Sequence, residues 1–243
     1  MEERFTIGDA VRYGWDIFKD NVAFLIAFVL ILWLAEAIPS GLQAGLGRNN
    51  TVFYIIFGVI EFIVGVFVGM AYTKIGLRYT AGEQADFEDL YSAYPHLWNF
   101  FLGYILFILI FIGGFILCII PGIYFAVKFQ FFGYFIIDQG MTPVEALRRS
   151  WRVTDGIWWY LFLANLAMFG LNLLGFLACC VGILVTFPVS IVAHAYVYRR
   201  LVATEGAAQM QPPQPPIPTQ PPQPTPPPPP EQQGGPPAPP PTV

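Results

Sequence analysis

Apolar residues in this chain come in runs far longer than a strand or an ordinary core helix needs. A bilayer core of about 30 Å takes roughly 20 helical residues to cross. Runs of that order cover residues 22–38, 52–76, 97–120, 121–137, 157–179 and 180–198. The pattern predicts an all-α, polytopic membrane bundle of six spans arranged as three hairpins. Residues 97–137 are too long for one crossing, and Pro121-Gly122 is the expected break, because proline lacks a backbone donor and clashes inside a helix. A second turn is expected near Gly175–Gly182, and Pro188 is expected to kink the last span.

Between these runs the pattern changes to a helical period with one polar face. Thr6–Lys19 reads TIGDAVRYGWDIFK and Thr142–Asp155 reads TPVEALRRSWRVTD. At a constant offset of 136, Thr6 aligns with Thr142, Asp9 with Glu145, Ala10 with Ala146, Arg12 with Arg148 and Trp15 with Trp151. Both begin Thr-x-x-acid, a capping-box signature, and Pro143 takes the first helical position, where no donor is needed. Ile7, Val11, Gly14, Trp15 and Phe18 share one face of the first stretch; Val144, Leu147 and Trp151 form the stripe of the second. Such helices lie at the bilayer surface with Trp at headgroup level. A weaker third copy begins at Asp86-Phe87-Glu88-Asp89-Leu90. The repeat-like units are therefore residues 5–80, 85–137 and 141–201 within a membrane domain of residues 1–201, each an interfacial helix followed by a hairpin, related by an axis near the membrane normal.

Composition sharpens this picture. The chain is 56% hydrophobic and 12% charged, about half the charged fraction of a soluble domain. That excludes a large soluble enzyme, and a net charge of −4 argues against nucleic acid. Of the 23 prolines, 18 lie between Pro212 and Pro241, so residues 202–243 are expected to be a disordered Pro/Gln-rich cytoplasmic tail of polyproline II character. Such a tail is a spacer or a ligand for a proline-motif-binding protein. Lys and Arg favour cytoplasmic loops. With the N-terminus inside, ten of the twelve cations are cytoplasmic, Arg48 is outside and Lys128 is within a span; six spans then place both termini in the cytoplasm. Ala35-Glu36-Ala37 has the form of a cleavage site, but the 21 residues before the first run are too long and too mixed in charge for a signal peptide. Cys118, Cys179 and Cys180 are expected to be small buried hydrophobes, with no metal spacing.

Ionisable groups at membrane depth are costly and mark candidate sites. Glu61 and Lys128 count to similar depths, so an ion pair between them is expected, with Asn172 as a hydrogen-bond partner. Gly58, Gly65, Gly69 and Gly76 form a small-residue stripe for helix packing, and Glu61 lies on the same face. The pair is open to two readings, a structural bridge or a solute and proton pathway. Gln130, Asn165 and His194 are scattered along the sequence and suggest no relay. Arg12, Arg148, Arg149 and Arg152, with Trp15 and Trp151, are the candidate headgroup-binding residues, because they lie on the polar faces and at the polar–apolar borders of the two surface helices. No catalytic set, cofactor site or metal site is expected, and the acidic residues Glu83, Asp86, Glu88 and Asp89 read as a solvated helix start.

The run Pro121-Gly122-Ile123-Tyr124-Phe125-Ala126-Val127-Lys128, followed by Thr142-Pro143-Val144-Glu145-Ala146-Leu147-Arg148-Arg149-Ser150-Trp151, resembles a family of uncharacterised bacterial multi-span membrane proteins. These are similar to the membrane domain fused to some glycerophosphodiester phosphodiesterases. The opening Ile7-Gly8-Asp9-Ala10 with Tyr13-Gly14-Trp15 resembles the same group. The resemblance implies a bacterial inner-membrane protein. The phosphodiesterase barrel has no counterpart here, so its activity does not carry over. The expectation is a non-enzymatic protein that interacts with membrane lipids and organises or assists something at the cytoplasmic face; the alternative is a small-solute or ion transporter or channel using Glu61 and Lys128.

Overall fold

The computed structural model describes residues 6–89, 94–178 and 182–210. Among these residues every regular element is a helix. In chain order they are α1 (Ile7–Asp20), α2 (Val22–Leu46), α3 (Thr51–Thr80), α4 (Leu97–Leu117), α5 (Ile119–Phe129), α6 (Phe132–Gln139), α7 (Pro143–Val153), α8 (Trp158–Leu177) and α9 (Ile183–Met210). Short 3₁₀ turns lie at Gly47–Asn49 and Tyr94–His96.

Among the described residues, five helices are long and apolar enough to cross a membrane: Val22–Leu46, Thr51–Thr80, Tyr94–Leu117, Ile119–Gln139 and Trp158–Leu177. The region of the expected sixth span falls in α9. There Ser190, His194 and Tyr196 dilute an otherwise apolar run, and Arg199 and Arg200 follow it directly.

Several expected boundaries move, each for a local reason. The first long helix does not stop at Ile38 but runs through a buried Pro39 to Leu46, as apolar helices tolerate proline when neighbours satisfy the freed backbone. The break in the 97–137 run is at Cys118, whose backbone is extended (φ −175°, ψ 158°), and not at Pro121. Pro121 is the third residue of α5, where an N–H would have had no intrahelical acceptor. Cys118 itself is exposed, against the expectation of burial; Cys179 and Cys180 lie outside the described residues. Helix α9 continues to Met210, so no tail begins at residue 202, and its Glu205 is tied to Arg149. The Pro-rich stretch 212–241 and Leu90 of the weak third copy lie outside the described residues.

Two cores hold the helices. One gathers Phe131, Phe135, Ile136, Ala146 and Tyr198 from α6, α7, α9 and the α5–α6 junction. The other gathers Phe18, Phe28, Ile75 and Val192 from α1, α2, α3 and α9. In lipid there is little hydrophobic gain from joining two apolar helices, so close packing and polar contacts must hold them. Close approach is visible at Gly14, where a Cβ would lie 2.4 Å from the Val189 carbonyl oxygen of α9. It recurs where Gly114 of α4 meets Gly122 of α5, with a Cβ placed 3.2 Å from the opposing Cα.

The glycine stripe of α3 is not one packing seam. A Cβ on Gly76 would meet Ala195 at 2.8 Å, one on Gly69 would touch Phe100 at 3.6 Å, one on Gly58 would approach the Gln43 amide at 3.0 Å, and one on Gly65 would meet nothing within 4 Å. Over 30 residues α3 passes successive neighbours, so residues on one stripe face different partners.

Candidate functional site

Helix α7 is built to be docked on one side and cationic on the other. Its start is a capping box: the Thr142 N–H and hydroxyl both donate to the Glu145 carboxylate, at 3.2 and 2.7 Å. These bonds, with Arg148 nearby, hold the Glu145 carboxyl below the usual carboxylate range. The docked face is Ala146, Ser150, Val153 and Thr154, all buried. Ser150 Oγ donates to the Lys128 carbonyl (2.8 Å) and accepts from the Phe131 N–H (3.2 Å). That serves the backbone where α5 gives way to α6, and it welds α7 to that junction. Thr154 Oγ1 donates to the Ser150 carbonyl at 2.9 Å and lies 3.3 Å from the Lys128 carbonyl.

On its other flank α7 faces α4 across a groove of about 700 Å³. Leu106, Ile110, Phe129 and Leu147 give it apolar walls, and Trp151, Arg148 and Arg152 complete it. Arg148 and Arg152 are four residues apart, hence neighbours on one helix face. Both are exposed, and neither has an ion-pair partner among the described residues. Arg149, expected to join them, is instead turned to α9 and paired with Glu205 at 3.1 Å, its side chain only 19% exposed. On α1, Arg12 is exposed and Trp15 is 46% exposed and stacked on Phe18 at 5.9 Å.

The expected Glu61–Lys128–Asn172 cluster does not form. Lys128, 1% exposed, pairs with Asp155 at 2.8 Å, and its ammonium lies 4.8 Å from the Trp151 ring centroid and 5.8 Å from that of Tyr124. Counting residues along a span gives depth but not azimuth, and Asp155 reaches Lys128 only because α7 runs back along α6 and α5. The ammonium holds the Asp155 carboxyl below its usual range. Glu61 accepts a hydrogen bond from Ser40 Oγ of α2 at 2.6 Å. Asn172 donates to Ser190 Oγ (2.8 Å) and to the Met168 carbonyl (2.9 Å).

Residues that look unrelated in sequence meet instead. Gln130, Asn165, His194, Ser190 and Asn172 form one continuous polar line joining the α5–α6 junction, α8 and α9. Asn165 and Gln130 amides are 2.8 Å apart, His194 Nε2 is 3.0 Å from the Asn165 amide, and His194 Nδ1 is 3.1 Å from the Ser190 carbonyl. The Asn165 amide N–H donates to Gln130 Oε1 and its Oδ1 faces His194 Nε2, so each ring nitrogen of His194 faces an acceptor oxygen and a neutral ring donates to one of the two. The signal that could have found it is spacing: Asn165 and Asn172 are two turns apart on α8, and Ser190 and His194 one turn apart on α9.

These features can be set beside known proteins. A family model described as a domain of unknown function, DUF7847, matches residues 52–227, which is most of the chain. The chain belongs to this family. Relatives of this DUF7847 member include the uncharacterized protein Mb2590 of Mycobacterium bovis, 29% identical over 238 residues, covering 87% of this chain and 73% of the relative. The uncharacterized protein Rv2560 of Mycobacterium tuberculosis is 28% identical over the same shares. No solved structure matches. The DUF7847 match begins in α3 and takes in the groove, the Lys128 pair and the polar line, but not α1 or α2.

Proposed function

We propose that this protein is a non-enzymatic, multi-pass protein of a bacterial inner membrane that engages anionic phospholipids through α7 at the cytoplasmic face. The observation that carries the reading is the groove between α4 and α7, where two arginines one turn apart, without an ion-pair partner among the described residues, stand beside Trp151 over an apolar wall. An acyl chain would lie along Leu106, Ile110 and Phe129, and the phosphate would sit between Arg148 and Arg152. Arginine suits this role because its planar fork binds phosphate with two parallel hydrogen bonds. Repetition of the Arg and Trp positions at Arg12 and Trp15 supports a second, looser contact with the same surface.

The reading also rests on six crossings, with α9 as the sixth, on the repeat of an interfacial helix before each hairpin, and on both termini being cytoplasmic. The resemblance to membrane domains fused to glycerophosphodiester phosphodiesterases agrees with a role beside lipids and supplies no chemistry. A Pro-rich tail beyond α9 would act as a tether for a proline-motif-binding partner. Glu61 and Lys128 have separate partners, which favours the lipid reading over a solute or ion pathway that uses them as a pair.

Native mass spectrometry of the full chain in mild detergent, titrated with phosphatidylglycerol or phosphatidylcholine, tests the proposal. Each arginine near the surface contributes about 1 kcal/mol toward an anionic lipid, so two together give roughly 30-fold preference. The wild-type protein should retain phosphatidylglycerol selectively, and Arg148→Gln with Arg152→Gln should abolish the preference. Arg149→Gln should leave it intact, because that guanidinium already faces Glu205. Equal retention of both lipids by the wild-type protein refutes the proposal.

A further inference from the structure

The turn between α4 and α5 differs in kind from the turn between α2 and α3. The latter carries Gln43, Arg48 and Asn50. The Asn50 side chain accepts from the Val52 and Phe53 N–H groups (3.0 and 3.4 Å), and Gln43 Nε2 donates to the Tyr54 carbonyl (3.2 Å). Polar side chains that cap exposed backbone suit a turn in water. From residue 100 to residue 127, by contrast, the sequence holds no charged residue and no Ser, Thr, Asn, Gln or His. At the α4–α5 turn itself, Leu117 (82%), Ile116 (79%) and Ile120 (73%) are the three most exposed large apolar side chains among the described residues. Cys118, at the apex, is exposed as well.

The backbone of this turn is closed in a way that lipid demands. Irregular chain with unmet polar groups is not tolerated in hydrocarbon. Here Cys118 is the one residue between the two helices, and both its backbone groups are bonded. Its N–H donates to the Gly114 carbonyl (3.0 Å), and its carbonyl accepts from the Gly122 N–H (3.3 Å). A helix start leaves four N–H groups without an intrahelical acceptor. At the start of α5 one of the four, that of Cys118, is bonded back to α4, and a second is absent because the residue is Pro121. The hairpin is also the shorter one. α4 has 21 residues, against 25 in α2 and 30 in α3, a difference of about 6 and about 13 Å at 1.5 Å per residue.

We propose that the α4–α5 turn is a lipid-contact surface, seated among the acyl chains of the outer leaflet and not emerging into the water outside. A protein partner would be expected to find a polar rim and hydrogen-bonding groups to fix its orientation, and the turn offers none; acyl chains need none. The inference rests on the multi-pass reading and refines it: α2 and α3 meet above the outer surface, α4 and α5 beneath it. The sidedness of every cation is unchanged, and the α4–α7 groove is not involved.

Spin labels on the full chain, in nanodiscs of phosphatidylglycerol and phosphatidylcholine, test it by power-saturation EPR. Oxygen concentrates in hydrocarbon and a nickel chelate stays in water. Cys179→Ala with Cys180→Ala leaves Cys118 as the labelled site. On that background with Cys118→Ala, Arg48→Cys gives the water reference and Leu109→Cys, at a position 62% exposed on α4, gives the lipid reference. The ratio of oxygen to nickel access at Cys118 should be several-fold above that at residue 48 and close to that at residue 109. Nickel access at Cys118 equal to that at residue 48 overturns the proposal, as does low access to both reagents, which would mean that protein covers the turn. If residue 109 is as open to nickel as residue 48, the multi-pass reading fails at α4 and this inference falls with it. Should the labelled variants fail to fold, Leu117→Asp in the otherwise unaltered chain decides. It should lower the unfolding temperature, because a carboxylate in hydrocarbon is costly, and an unchanged temperature overturns the proposal.

Discussion

At the scale of single residues, the Lys128–Asp155 pair is asymmetric, and the asymmetry has consequences. Lys128 is 1% exposed and Asp155 is 75% exposed. Removing the lysine leaves a carboxylate in solvent; removing the aspartate leaves a buried ammonium with only the Trp151 and Tyr124 rings for company. Breaking a pair from the exposed side is the costlier cut, because the uncompensated charge is the buried one. Asp155→Asn should therefore lower the unfolding temperature more than Lys128→Met, in which loss of a cation–π contact of about 1–2 kcal/mol is offset by a better-suited apolar side chain. Differential scanning fluorimetry in one detergent gives the order, and the reverse order refutes the account. The pair also predicts a pH response. The Asp155 carboxyl is held below its usual range in the folded protein, so its contribution is present above the unfolded value, about 3.9, and falls away as the pH drops through the lower folded value. Wild-type stability should lose this increment below about pH 4, and Asp155→Asn should not show it. Lys128 was legible in the sequence as an anomaly, a cation in an apolar run. Its partner was not, because Asp155 reads as a loop residue until α7 is seen to fold back along α6.

At the scale of elements, helix identity and most helix starts were open to sequence reading, and helix ends less so. Thr142, Pro143 and Glu145 announce the start of α7, and the structure realises that cap. Replacing Thr142 by Ala should cost about 1 kcal/mol, as for other N-cap losses, read as a lower unfolding temperature with unchanged helix content by circular dichroism. Pro39 and Pro121 were harder to read than Pro188, which lies inside α9 as expected, because a proline ends a helix in water but is tolerated in an apolar one whose neighbours supply partners. Glycine spacing misled for a related reason. Gly65 and Gly69 have the form of a packing motif, yet Gly65 has no neighbour where a Cβ would stand, while Gly14, in no motif, abuts the Val189 carbonyl. The two make a matched test. Gly65→Ala should be neutral or stabilising by up to about 1 kcal/mol, the helix-propensity difference. Gly14→Ala must push α1 away from α9 and should destabilise by about 1–3 kcal/mol. If Gly65→Ala proved as damaging as Gly14→Ala, α3 would have a seam that this packing does not contain.

At the scale of the whole molecule the open quantity is the parity of crossings. Five helices qualify by length and apolarity, and an odd number would put the two ends of the described chain in different compartments. The shortfall lies in α9, and it has a physical explanation. Its most polar positions within the expected span, Ser190 and His194, are bonded to Asn172 and Asn165 of α8, so these polar groups find partners inside the protein. Hydropathy summed along one helix charges the full cost of each polar side chain, whereas a pair of helices that bond their polar groups to each other avoids most of it. The cations of α9 cluster after this stretch, at Arg199 and Arg200, where they fit a cytoplasmic end. On the proposed reading of six crossings, Arg48 would lie in the external loop between α2 and α3 and Arg200 inside. A reporter active only in the periplasm should be active when fused after Arg48 and silent when fused after Arg200. One active only in the cytoplasm should show the opposite pattern. Activity of the periplasmic reporter at both positions would remove α9 from the set of spans. The polar line of α8 and α9, which six crossings would place within the bilayer, would then lie at its edge.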